Sequence, residues 1–149
     1  MLRLTRTLVL PAALLLAACG GNFEGTFQGD AVESGTLKIA VAQTGAEAKN
    51  ETPPRKLTGQ SVVVSKGDAG WTVKFGACEL KGEESGAKLL VLKGAPCDVK
   101  VATYEGPLPL SGTLALEGEE AKLNVTGTVN NGSAVVSYDY AFTGKRAAK

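Results

Sequence analysis

Histidine is absent from all 149 residues. That removes the commonest general base, the Ser-His-Asp and Cys-His arrangements, and most zinc and haem sites. Cysteine is scarce too: Cys78 and Cys97 have no third nitrogen or sulfur ligand beyond Cys19, so no metal and no cofactor is expected. Charge of one sign is also lacking, with Lys plus Arg at 16, Asp plus Glu at 15 and a net charge of +1. The densest basic run, residues 145–149, reads as a short frayed tail, and nothing predicts nucleic-acid binding. No Gly-rich phosphate loop joins a strand to a helix, and Ser133 and Ser137 have no base nearby. Glu83-Glu84 and Glu117-Gly118-Glu119-Glu120 fall in expected turns, where acids are ordinary, so carboxylate hydrolysis or calcium binding is the least favoured reading. An enzyme is therefore not expected.

No apolar run approaches the ~20 residues that cross a bilayer. The one that exists, residues 8–16, follows Arg3 and Arg6, is interrupted by Pro11, and ends at Leu16-Ala17-Ala18-Cys19. Its length and flanking charges predict an export signal over residues 1–18. The four closing residues resemble the lipobox of bacterial lipoproteins. That resemblance implies cleavage before Cys19, acylation of Cys19, and partnership with a membrane through its acyl chains. Each buried methylene contributes ~0.8 kcal/mol, so two or three chains hold firmly where one holds marginally. Residues 19–22 would form a lipidated tether. Gly20, rather than Asp, follows the cysteine, and by the sorting rule of enterobacterial lipoproteins this implies the outer membrane more than the inner.

The mature chain suits one β domain, residues 23–144. Losing Arg3 and Arg6 leaves 14 of the 16 cations against 15 acids. Helical periodicity is nearly missing, while alternation with period two recurs. Trp71, Val73 and Phe75 share one face, as do Leu37, Ile39 and Val41, then Val99 and Val101, then Leu123, Val125 and Val129. The clearest case is Ala134, Val136, Tyr138, Tyr140 and Phe142. Turn residues punctuate these runs at Gly29-Asp30, Ser34-Gly35, Gly67-Asp68, Glu84-Ser85-Gly86, Gly94-Ala95-Pro96, Gly106-Pro107 and Asn130-Asn131-Gly132. Residues 44–56, with Pro53 and Pro54, read as a long mobile loop. The pattern predicts an all-β fold: an antiparallel meander of eight or nine strands closed into a barrel, with a β-sandwich as the alternative. Val62-Val63-Val64 and Leu89-Leu90-Val91-Leu92 break the alternation, so both of their faces are covered or a β-branched residue sits on the surface.

Gly21-Asn22-Phe23 stands where lipocalins carry Gly-x-Trp at the first strand, and Arg146 stands near the place of their closing arginine. This is similar to the lipocalins in architecture, without their Trp or their second motif. The chain also lacks the Tyr-x-Cys pattern of barrel-type lysozyme inhibitor lipoproteins. Loosely, the spacing of its Trp strand and cysteine pair resembles small uncharacterised β-rich lipoproteins.

Two chemical expectations follow. In an exported protein the even pair Cys78 and Cys97 predicts a disulfide, although a plain three-stranded meander would set them two strands and about 10 Å apart. Of the eight aromatic residues, Trp71, Phe75, Tyr138 and Tyr140 either fill the core or line a cavity for a small apolar ligand. The function expected is a lipid-anchored, non-catalytic binding or structural module of the envelope whose partner the sequence does not name, an envelope protein or a small apolar ligand, with a carrier of a small apolar ligand as the alternative.

Overall fold

The computed structural model describes residues 22–40 and 45–148. The export signal, the lipobox with Cys19 and most of the tether lie outside them. Eight antiparallel strands follow one another: β1 (Gly25–Ala40), β2 (Glu47–Gly67), β3 (Gly70–Phe75), β4 (Cys78–Glu84), β5 (Leu89–Val101), β6 (Tyr104–Glu117), β7 (Glu120–Asn130) and β8 (Ala134–Arg146). Each pairs with the next, and β8 returns to β1, so the sheet is a closed up-and-down barrel and not a sandwich.

Alternation produces the core. Phe27, Val62, Val64, Val73, Leu80, Leu90, Leu114, Leu123, Val125 and Phe142 are almost wholly buried, and among the described residues no polar or charged one is buried with them. Their outward neighbours are Lys, Glu and Thr, as half-buried antiparallel strands require. In the two uninterrupted apolar runs the odd residue simply faces water: Val63 is 39% exposed and Val91 42%. The β-branched surface explanation holds, and no second layer covers them.

Several glycine signals were not turns. Gly29-Asp30 and Ser34-Gly35 lie inside β1 and mark its two register shifts against β2. Gly106-Pro107 lies inside β6, and the turn falls at residues 102–103, where Ala102 takes φ 51°. Gly94-Ala95-Pro96 is a bulge in β5, between Leu92 and Ala95. Residues 47–56 of the expected loop are the first half of β2, paired with β1 from Ala40↔Glu47 to Val32↔Lys56. Exposed charge on this half of β2 hides its alternation.

One end of the barrel is shut. Phe23 is fully buried there and meets Trp71 edge-on, with ring centroids 5.4 Å apart. Arg146 fastens this base: its Nε donates to Glu119 Oε2 at 2.9 Å, Nη2 to the Asn22 carbonyl at 2.9 Å, and Nη1 to the Glu24 carbonyl. The guanidinium also lies 4.8 Å over the Phe27 ring. Lys145 and Arg146 thus belong to β8 rather than to a frayed tail, and Ala147 N donates to the Thr26 carbonyl at 2.8 Å.

Candidate functional site: a window in the barrel wall

Strand lengths are unequal, and the site follows from that. β2 spans 21 residues, but β3 pairs only with its last six, Val62 to Gly67. Likewise β4 pairs with Leu90 to Lys93 of β5, while Ala95 to Val101 continue beside β6 alone. Above the β3–β4 hairpin, β2 and β5 therefore face each other with unpaired edges. The wall closes again where Ala102 N donates to Thr52 Oγ1 at 2.8 Å. Val101 packs toward β1, its methyls reaching within 3 Å of where a Cβ on Gly35 would stand. What remains is a side window with β2 and β5 as jambs and Gly76-Ala77 as sill.

Behind the window lie two adjoining cavities. The outer, of about 360 Å³, is lined by Glu33, Thr52, Arg55, Asp98, Lys100 and Tyr138 among others. The inner, of about 150 Å³, reaches Phe75, Cys78 and Tyr140. They share Glu33, Asp98, Val99 and Tyr138. Glu33 is the central polar group, because the inward phase of β1 and its pairing with Arg55 aim both side chains into the barrel. Arg55 donates through Nε at 2.9 Å and through Nη2 to the same oxygen, Glu33 Oε1. Tyr138 donates its hydroxyl to Oε2 at 3.2 Å. The Arg55 side chain is 67% exposed against 18% for Glu33, so the carboxylate is the inner member of the pair.

Three of the four aromatic residues expected to share a site do so. Phe75 and Tyr140 stack at 5.0 Å between centroids, with Tyr138 beside them. Trp71 does not join them. It lies four residues back along β3, about 13 Å by strand rise, where its Nε1 donates to Glu84 Oε1 at 2.7 Å and Lys66 covers its ring. Strand phase gave the four a common face, but not a common height. Fluorescence of Trp71 is accordingly a poor reporter of the window.

The cysteines are neighbours. A turn at residues 76–77 splits the expected single strand into β3 and β4, and β5 runs without interruption through the bulge, so they stand on adjacent strands. Beyond the last β4–β5 pair, Lys81↔Lys93, Cys78 begins β4 and Cys97 follows the bulge in β5. Both thiols are free, and they lie within hydrogen-bonding reach of each other. Glu83 pairs with Lys93, Glu117 with Lys122 and Glu119 with Arg146, all solvent-facing carboxylates. Among the described residues no group of three or more His, Cys, Asp or Glu could hold a metal ion.

Ionisation is suppressed behind the window. Burial, and after it the neighbouring Cys97 and Asp98, pushes the Cys78 thiol up to about 12. Burial, then the Glu33 charge, pushes Tyr140 up to about 12 and raises Tyr138 as well. These acids hold their protons more tightly folded than unfolded, so their contribution to stability is complete below the unfolded values near 9 to 10 and is lost as pH rises toward about 12. The urea midpoint is expected to fall across that alkaline range. Tyr140→Phe should flatten the fall, and an unchanged profile would remove Tyr140 from the account.

No protein-family model matches this chain, and neither a curated protein nor a solved structure is found to be similar to it.

Proposed function

We propose that this chain is a lipid-anchored, non-catalytic binding protein of the bacterial envelope, and that it holds a small, partly apolar molecule in the side window. The observation that carries the reading is the window itself: a barrel with an apolar core whose wall opens onto stacked aromatic rings and a half-buried carboxylate. Together the cavities fall in the range of small-molecule sites, and their mixed lining suits an amphiphile better than a purely apolar guest.

Anchoring rests on Cys19. Arg146 ties Asn22 to the closed base, so acyl chains three residues earlier would set the base against the bilayer, with the window about 20 Å above it. This orientation favours a guest arriving from water rather than from the lipid. In the oxidising envelope Cys78 and Cys97 would be joined.

Both halves of the reading can be tested. Palmitate label and membrane retention are expected in the native protein and absent in Cys19→Ser; label surviving that substitution defeats the anchor. A solvatochromic apolar dye is expected to bind the native barrel and to lose at least about tenfold in affinity in Tyr140→Ala, an aromatic truncation costing over 1.4 kcal/mol. Equal binding by the two proteins defeats the window as a site.

One observation favours a second reading. The edges of β2 and β5 that frame the window carry no neighbouring strand among the described residues, and such edges accept an extended peptide from a partner. Pro53 and Pro54 blunt the β2 edge and Pro96 the start of the free β5 edge, which leaves Cys97 to Val101 of β5 as the receiving stretch.

A further inference from the structure

We propose that the inner cavity selects a small organic cation, an ammonium or quaternary ammonium head, whose remainder extends into the outer cavity. This rests on the reading of the window as a small-molecule site and specifies the chemistry of its guest.

Size is the first argument. A cavity of about 150 Å³ equals one known to take benzene, and a trimethylammonium group is of that bulk. Lining is the second. Phe75 and Tyr140 present stacked rings and Tyr138 a third, the surfaces that attract a weakly hydrated cation. Two carboxylates, Glu33 and Asp98, border the same space, while the cations of the site, Arg55 and Lys100, border only the outer one.

The carboxylates differ in how far they are already satisfied. Glu33 Oε1 is taken by Arg55, whereas Oε2 has only the long contact from Tyr138. The exposed Asp98 carboxylate has no hydrogen-bond or ion-pair partner among the described residues. A cation held against the rings would lie beside Glu33, whose Oε2 is half free, with the Asp98 carboxylate at the rim of the same space. A fatty acid would instead bring its own carboxylate beside both, with a guanidinium already engaged. Burial is the larger cause of the raised pKa values at Cys78, Tyr138 and Tyr140, and the charges of Asp98 at Cys78 and of Glu33 at the two tyrosines add to it; only that added part favours positive charge. A hard metal ion is the poorer occupant, since it requires six or more oxygens and the rings supply none.

Three probes of one shape decide the matter: choline, its uncharged isostere bearing tert-butyl for trimethylammonium, and the tert-butyl carboxylate. Each is titrated into the full protein, with calorimetry and the ring resonances of Tyr138 and Tyr140 as readouts. Choline is expected to bind about tenfold more tightly than the neutral isostere, a difference of about 1.4 kcal/mol, and the carboxylate most weakly. Asp98→Asn, at an exposed position that will not disturb folding, should erase most of the advantage of choline and leave neutral binding unchanged. Neutral binding equal to or tighter than choline overturns the cation while the window stands as a site. Tighter binding of the carboxylate overturns it in favour of Arg55. Failure of all three at tens of millimolar overturns both the inference and the reading beneath it.

Discussion

Gly112→Ala is expected to destabilise the barrel by about 3 kcal/mol or more, a large share of the 5 to 15 kcal/mol that holds a typical domain together. Gly112 lies inside β6 opposite Val125 of β7. A Cβ there would sit 1.9 Å from the Asn124 carbonyl oxygen and 2.8 Å from Val125 Cα. Neither is the end of a flexible side chain, so the strand must move by an ångström or more and the β6–β7 ladder with it. Gly67→Ala supplies the control, because a Cβ at Gly67 meets nothing within 4 Å and its φ is not in the left-handed region. Its effect should stay within about 0.5 kcal/mol. Urea denaturation of the two variants reads the difference, and equal midpoints would show that the close approach at Gly112 does not constrain the fold.

The same glycine marks where sequence reasoning stops. Alternating residues such as Val136, Tyr138, Tyr140 and Phe142 declare a strand because each inward position is apolar and each outward one is not. Gly112-Thr113, Gly29-Asp30 and Gly106-Pro107 look like turns, since turn and strand interior both accept glycine. Only the proximity of another backbone, as at Gly29 against the Thr143 carbonyl 2.0 Å from its would-be Cβ, distinguishes a barrel corner from a hairpin. Residues 47–56 were illegible for a related reason. They line an opening on one face and water on the other, so charge appears at both phases and the period vanishes.

The window was beyond sequence altogether. Phe75, Tyr138 and Tyr140 were readable as an inner-facing aromatic set, but Glu33 and Arg55 stand 22 positions apart, and only the β1–β2 register puts them side by side. That β3 and β4 stop short of their neighbours is marked only faintly. The signal available was the six-residue run Gly70 to Phe75 followed at once by Gly76, a strand too brief to cover a 21-residue partner.

Joining Cys78 to Cys97 is expected to stabilise the protein by about 3 kcal/mol, because the bond closes a loop of about 20 residues in the unfolded chain. The native strands already hold the two thiols within hydrogen-bonding reach of each other, so the bond forms with little movement. Each thiol gives up one hydrogen, and the electron pair passes to a disulfide-bearing oxidant. Thermodynamic favour and rate part company here. With its proton held up to about 12, Cys78 offers little thiolate near neutrality, and reduced native protein should be alkylated far more slowly than the same protein in urea. A catalyst that engages Cys78 as the half-buried partner, ahead of the buried Cys97, is the route the geometry favours. Oxidised protein should weigh two hydrogens less and unfold at a urea concentration higher by roughly 1 to 2 M, an increment that Cys78→Ser abolishes. Should oxidation instead yield only dimers, or a monomer with an unmoved midpoint, the two cysteines are packing residues and the bridge forms no part of the fold.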